Sequence, residues 1–152
     1  MKNVLVIGAT GQIGSELTMV LRKQYRHGTI VAGYIPGAEP TGDLLESGPA
    51  EMANVCNGRQ IMEIVHKYDI DTIYNLAALL SATAERLPLK AWDIQMNGLL
   101  NILEVARENH CAVFTPSSIG SFGPDTPRDN TPRTPFSAPP PCTASPRSPL
   151  SS

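Results

Sequence analysis

The sequence predicts an α/β protein built on a doubly wound parallel β-sheet, followed by a tail that lies outside the fold. From residue 1 to about 123, short apolar runs alternate with segments of helical spacing. Beyond that point, nine of the 14 prolines mix with nine Ser or Thr. Such a composition cannot bury a core. We therefore predict an incomplete α/β domain in residues 1–123 and a disordered tail in 124–152.

The individual elements follow from their hydrophobic periodicity. Residues 2–7 form a continuous apolar run, as expected of a parallel strand buried on both faces, and 11–24 have helical spacing. The long helix has a predicted apolar side made of Trp92, Met96, Leu99, Leu103 and Ala106. Further strands are predicted at 29–34, 72–76 and 111–115, the last also buried on both faces, and further helices at 59–67 and 88–108.

Charge and cysteine content exclude several classes of partner. The 12 Lys and Arg against 14 Asp and Glu give a net charge of −2, which offers no basic patch for nucleic acid or an anionic membrane. No leader or apolar run of about 20 residues appears, so we expect a soluble cytoplasmic protein. The cysteines, Cys56, Cys111 and Cys142, lack C-x-x-C spacing, so neither a disulfide framework nor a metal site is predicted.

A glycine-rich turn lies between the first predicted strand and the first helix. Gly8, Gly11 and Gly14 have the G-x-x-G-x-x-G spacing, with Gln12 and Ile13 at the start of the helix. Backbone N–H groups at such a turn bind a pyrophosphate; the alternative is an ordinary tight turn. The spacing resembles the extended branch of the short-chain dehydrogenase/reductase superfamily. This resemblance implies a Rossmann fold and an NAD cofactor, with Gly8, Gly11, Gly14, Gln12 and Ile13 among the residues that contact it.

Two positions depart from that family. The acid that binds the ribose is expected near the end of the second strand, where this chain has Tyr34. Tyr34 either donates to a ribose hydroxyl, packs on adenine or is a surface aromatic residue. No arginine nearby clearly offers a site for a 2′-phosphate, so NAD remains favoured over NADP. Asn57 stands where the family often has an aspartate that contacts the adenine amino group.

Three further segments, 75–85, 91–97 and 116–124, resemble the short-chain type of L-threonine 3-dehydrogenase. Their specific parts are the L-L-S-A-T-A-E and P-S-S-I-x-x-F-G-P runs. The resemblance implies oxidation of L-threonine by NAD to 2-amino-3-ketobutyrate, in a parent enzyme that forms a homo-oligomer.

The resemblance also implies roles for individual residues. Leu76, Ala77 and Ala78 line the adenosine side of the cofactor, or else simply end an apolar strand. Asn97 ties active-site backbone together, or is a surface residue.

Two serines are expected to contact the substrate. Ser81 either binds it or caps a helix. Ser118 matches the catalytic hydroxyl by its spacing to the Phe-Gly that follows it, and it ends a strand where ligands of open α/β sheets gather.

The chain lacks the general base of that family. The chemistry requires a tyrosine followed four residues later by a lysine, since one helical turn brings both side chains to the cofactor. None of the four tyrosines has a lysine at that spacing, and all precede Ser118: Tyr25, Tyr34, Tyr68 and Tyr74. We therefore expect this chain to be inactive.

A change of reading frame near Arg133 explains the missing pair. When residues 133–152 are back-translated and each codon is read from its final base, the sequence can become D-T-I-Q-R-P and then Y-G-V-T-K-V-S-A-E-L. The shifted frame restores Y-x-x-x-K at the right distance from Ser118. Three alternatives stay open: a natural Pro/Ser-rich tail, a nucleotide-sugar epimerase or dehydratase, and a non-catalytic NAD-binding module.

Overall fold

The computed structural model describes residues 2–79, 81–117, 127 and 129–130. Contacts between Cα atoms divide the chain into two units, 1–116 and 117–152. All the helices and strands of the described residues lie in the first unit. The predicted tail lies almost wholly outside the described residues, so the boundary at 123 and the disorder of the tail stay predictions.

Five parallel strands form one sheet in the order β3-β2-β1-β4-β5. The central strand is β1 (Val4–Ile7), flanked by β2 (Ile30–Tyr34) and β4 (Thr72–Asn75). The edge strands are β3 (Ala50–Met52) and β5 (Ala112–Phe114). Strand order reverses across β1, which confirms the predicted doubly wound parallel sheet of Rossmann type.

Seven helical segments connect the strands. They are α1 (Gln12–Gln24), α2 (Asp43–Glu46), α3 (Gly58–Tyr68), α4 (Ser81–Arg86), α5 (Pro88–Trp92), a π-helical turn (Asp93–Asn97) and α6 (Gly98–Asn109). Within the described ranges, none is long and apolar enough to cross a bilayer.

Helices cover both faces of the sheet. Successive side chains of β1 point to opposite faces, and apolar residues on each face pack against helices. Leu5 and Ile7 belong to the core that α3 and α6 close, whereas Val4 and Val6 belong to the core beneath α1. All four residues are buried, so the prediction of a strand buried on both faces is confirmed for β1.

The long predicted helix exists, but its buried side is not the predicted one. It continues from α5 through the π-helical turn into α6, and its buried residues are Ala91, Gly98, Ile102, Val105 and Ala106. Of the predicted apolar side, Ala106 is buried, but Trp92 is 62% exposed and Leu103 is 44% exposed. A glycine is needed on this buried side at position 98 because the helix packs closely there: a Cβ on Gly98 would lie 2.6 Å from Val55 Cγ2.

The prediction that the last strand is buried on both faces is wrong. In β5, Ala112 and Phe114 are exposed and Val113 is half-buried. The ring of Phe114 packs against Tyr74 on β4, with 5.3 Å between ring centroids. At the β5 edge, large apolar side chains therefore remain in contact with solvent.

The opposite edge, at β3, is held by polar side chains. Arg22 on α1 donates hydrogen bonds to the carbonyl oxygens of Ile30, Leu44 and Pro49, at distances between 2.6 and 3.2 Å. On β3 itself, Glu51 Oε1 accepts from Lys67 Nζ and from Tyr68 Oη, both at 2.6 Å. These bonds tie β3 to α1 and α3.

Candidate functional site

A cavity of about 560 Å³ opens at the carboxyl ends of β1, β2 and β4. In doubly wound sheets this is the place where the strand order reverses and where ligands bind. Five segments line it: the turn after β1, the chain after β2, the loop after β3, the chain after β4 and the long helix. The lining residues of the first four segments are Gly8, Thr10, Gly11, Tyr34, Ile35, Pro36, Ala38, Ala53, Asn54, Val55, Cys56, Leu76, Ala77, Ala78 and Leu79.

The glycine-rich turn is shaped by backbone hydrogen bonds to β2. The N–H groups of Gly8 and Ala9 both donate to Gly33 O, at 3.1 and 3.0 Å. Gly8 has a φ of +80°, and a Cβ there would lie 3.1 Å from the carbonyl group of Leu76. Glycine is therefore required at this position by both conformation and space.

The other two glycines of the turn differ in what surrounds them. A Cβ on Gly14 would overlap Gly8 O and lie 2.8 Å from Ala9 Cα, so Gly14 permits α1 to pack on the turn. A Cβ on Gly11 would meet only Gly8 O, at 3.3 Å, and Gly11 lines the cavity. Gly14 thus serves packing, whereas Gly11 keeps a space open at the cavity wall.

Helix α1 begins at this wall. Its N-cap is Gly11, which provides no side chain to bond the first N–H groups, and the first turn contains no acidic residue. A helix N-terminus in this state favours an anion. Gln12 and Ile13 belong to this first turn but do not line the cavity, and Ile13 is largely exposed. Their contact with a cofactor, like that of Gly14, stays a prediction.

On the β2 side, Tyr34 lines the cavity as the last residue of its strand. The side chain is half-buried, and its carbonyl oxygen accepts from Ala53 N at 2.7 Å. The neighbouring wall, made of Ile35, Pro36 and Ala38, is apolar.

The loop after β3 brings Asn54 to the cavity and leaves Asn57 outside its lining. Asn57 Oδ1 accepts from Gln60 N at 3.2 Å and so caps α3. Asn54 Oδ1 accepts from Cys56 N at 3.0 Å. From α6, Asn101 Nδ2 donates to Val55 O at 2.9 Å, which fixes the loop against the cavity. Contact of Asn57 with adenine stays a prediction.

The charged groups at the cavity come from the long helix. Among the described lining residues only Lys90 and Asp93 are charged. Asn97 Nδ2 donates to Asp93 Oδ1 at 2.8 Å, and this bond, with a second from the Cys56 thiol, lowers the pKa of Asp93. Burial and the bond to Asp93 raise the pKa of Cys56. Asp93 is thus ionised and Cys56 is a neutral thiol near pH 7.

Asn97 itself is exposed and outside the cavity lining. It acts on the cavity through Asp93, and its predicted role in tying active-site backbone together stays a prediction. Two side chains of the long helix do bond backbone at the cavity: Asn101 Nδ2 donates to Val55 O at 2.9 Å, and Gln95 Nε2 donates to Leu79 O at 3.3 Å.

On the β4 side, the predicted Leu76, Ala77 and Ala78 all line the cavity. They follow the buried Asn75, whose Oδ1 accepts from Ala77 N at 3.3 Å. Ser81 is the first residue of α4. Ser118 lies outside the described residues, so both predicted substrate contacts stay predictions.

Of the predicted cofactor residues, the structure therefore brings Gly8, Gly11, Tyr34 and the 76–78 segment to one cavity. The contributions of Asn54, Cys56, Lys90 and Asp93 were not predicted. A polar residue shortly after a strand is the available signal for Asn54, but the sequence does not predict β3, because its three residues carry no apolar run.

The sequence and the fold match known proteins. The NAD dependent epimerase/dehydratase family matches residues 4–149. An uncharacterized epimerase/dehydratase of Staphylococcus saprophyticus is 48% identical over 133 residues, which are 88% of this chain and 41% of the relative.

Solved structures that are similar to this chain include two L-threonine dehydrogenases. The L-threonine dehydrogenase of Clostridium difficile has a TM-score of 0.79 and 45% identity, over 91% of this chain and 43% of that one. The GalE-like L-threonine dehydrogenase of Cupriavidus necator, in its holo form, has a TM-score of 0.73 and 41% identity, over 84% of this chain and 40% of that one. The chain thus spans about two fifths of the length of these proteins. Because the matched region covers almost all of the sequence, the chain belongs to the NAD-dependent epimerase/dehydratase family.

Proposed function

We propose that this chain is the NAD-binding part of an L-threonine 3-dehydrogenase, an enzyme that oxidises L-threonine to 2-amino-3-ketobutyrate in cytoplasmic threonine catabolism. The observation that carries the proposal is the cavity whose wall contains Gly8 and Gly11 at the N-terminus of α1. The threonine substrate rests on the likeness to two L-threonine dehydrogenases above 40% identity.

The residues present fit NAD. The uncapped first turn of α1 and the open space at Gly11 suit a pyrophosphate, and the apolar segments after β2 and β4 suit the flat rings of a dinucleotide. When bound, NAD supplies the acceptor for the hydride that leaves the threonine β-carbon. In this proposal Ser118 donates a hydrogen bond to the threonine oxygen, and Ser81 helps to hold the substrate.

The oxidation also needs a base for the hydroxyl proton. A serine hydroxyl has an alcohol-like pKa and is a poor base near neutrality. Since the chain has no Y-x-x-x-K pair, we propose that it is inactive as it stands and that a frame change near Arg133 removed the pair. Self-association of the parent enzyme is part of the same proposal.

Calorimetry tests the cofactor assignment. NAD should bind weakly to the chain, and Gly11→Val should abolish binding, because the new side chain would occupy the pyrophosphate space. Gly58→Ala is the control: its Cβ would meet Asn101 at an ordinary 3.5 Å, outside the cavity lining. Circular dichroism should show that the unchanged chain and both variants are folded. Equal NAD affinity in these three proteins would then overturn the cofactor assignment.

Enzyme assays test the reaction and separate the alternatives. The chain should not oxidise L-threonine at any pH, and the frame-restored protein should do so. A restored protein that turns over UDP-sugars instead would establish a nucleotide-sugar epimerase or dehydratase. Resequencing the coding DNA around Arg133 decides whether a usable Y-G-V-T-K frame exists. A folded chain that binds NAD tightly, with no such frame, would favour a non-catalytic NAD-binding module.

A further inference from the structure

On the β2 side of the cavity, the described residues carry no charge that would select between the two nicotinamide dinucleotides. In doubly wound folds, an acid at the end of the second strand accepts from the ribose 2′-hydroxyl and disfavours a 2′-phosphate. Here β2 ends at Tyr34, and the cavity wall continues with Ile35, Pro36 and Ala38. No lining residue of this segment is charged.

The nearest carboxylate along the chain is engaged elsewhere. Glu39 Oε1 accepts from Gly37 N at 3.0 Å, and this bond to its own loop lowers the pKa of Glu39. Glu39 is not among the cavity-lining residues. The two charged lining residues, Lys90 and Asp93, both come from the long helix and have opposite signs.

The Tyr34 hydroxyl differs from a carboxylate in what it can bind. Within the described part of the chain, the Tyr34 hydroxyl makes no hydrogen bond to another residue. A phenol both donates and accepts, so it can accept from a ribose 2′-hydroxyl or donate to a 2′-phosphate oxygen, whereas an ionised carboxylate only accepts. A carboxylate also repels a phosphate at contact distance, and a phenol does not.

We propose that Tyr34, at the end of β2, makes the cavity indifferent to the 2′ substituent, so that it accepts NADP as well as NAD. This replaces the preference for NAD that the sequence alone led us to expect. The inference rests on the proposed function, since it assumes that the cavity binds a nicotinamide dinucleotide.

The test compares dissociation constants for NAD and NADP, measured by calorimetry on the full chain. The two constants should agree within about threefold, a difference well below the tenfold that corresponds to 1.4 kcal/mol. Tyr34→Asp should weaken NADP binding about tenfold or more and leave NAD binding within about threefold. Tyr34→Phe keeps the ring and removes the hydroxyl, so it should weaken both dinucleotides without changing their ratio.

Glu39→Gln is the control, because Glu39 is the carboxylate nearest to Tyr34 along the chain and does not line the cavity. The ratio of the two constants should not change in this variant. A chain that binds NAD more than about thirtyfold better than NADP, or a Glu39→Gln variant that removes such a preference, would overturn the inference while leaving the proposed function intact. Failure of both dinucleotides to bind would overturn the proposed function, and the inference with it.

Discussion

The two edges of the sheet are completed in opposite ways. At the β3 edge, the Arg22 guanidinium and the Glu51 carboxylate tie strand and helices together through hydrogen bonds. At the β5 edge, Phe114 is half exposed, and the neighbouring long helix presents Leu89, Trp92, Met96, Leu100 and Leu103 to solvent at helical spacing. We call these five residues the apolar stripe. The comparison teaches that polar side chains of this chain close the β3 edge, whereas at the β5 edge the described residues leave large apolar side chains exposed.

The largest effect on stability is expected at Gly14, where helix α1 packs against the backbone of the turn after β1. Gly14→Ala should destabilise the fold by about 3 kcal/mol or more, because its Cβ would overlap Gly8 O. Gly11→Ala is the matched variant in the same turn, and it should change the unfolding free energy by less than about 1 kcal/mol. Denaturant unfolding of both variants measures the difference. Similar destabilisation of the two would contradict the division between packing and cavity glycines.

A smaller loss is expected at the polar β3 edge. Arg22→Ala removes the donor to three carbonyl groups and should cost about 2 kcal/mol, because hydrogen bonds from a charged group are among the stronger ones. Arg22→Lys should recover only part of this, since an ammonium cannot span the three acceptors as a planar fork does. Denaturant unfolding measures both losses of stability. An unchanged unfolding midpoint in Arg22→Ala would show that these hydrogen bonds do not stabilise the β3 edge.

A third effect concerns reactivity at the cavity. Because burial raises the pKa of the Cys56 thiol, its alkylation should need a higher pH than that of a free cysteine, as only the thiolate reacts. NAD should slow this labelling further, because Cys56 lines the cavity. Cys111 is the control: burial also raises its pKa, but it does not line the cavity, so NAD should not protect it. Peptide mass spectrometry measures both rates, and equal protection would argue against binding in this cavity.

The smallest effect on stability is expected on the apolar stripe. Leu89→Gln and Leu100→Gln should each change the unfolding free energy by no more than about 0.5 kcal/mol, because these side chains are already exposed. Binding of a dye specific for exposed apolar surface should fall, and solubility should rise. Ile102→Ala, on the buried side of the same helix, should instead cost about 3 kcal/mol. Strong destabilisation by Leu100→Gln would mean that the stripe is covered after all.

The features that could be predicted from the sequence were those that depend on residues close together in the chain. The Gly8, Gly11 and Gly14 spacing located the turn, and the apolar run of β1 located the centre of the sheet, because both depend on residues close in the chain. The long helix shows where such reasoning stops. Its apolar residues are compatible with either of two buried faces. The structure buries the face with Ile102 and Val105, on which Gly98 lets the helix approach Val55 closely.

By itself, the sequence determined the order of the main strands and helices, the glycine-rich turn and the absence of a Y-x-x-x-K pair, since each depends on residue type and spacing along the chain. Only the tertiary structure decided that Asn54, and not Asn57, lines the cavity beside the segments after β1 and β4, and that the Cys56 thiol meets Asp93 of the long helix. These relations join segments that are distant in sequence, and only the packing of helices on the sheet brings them within contact.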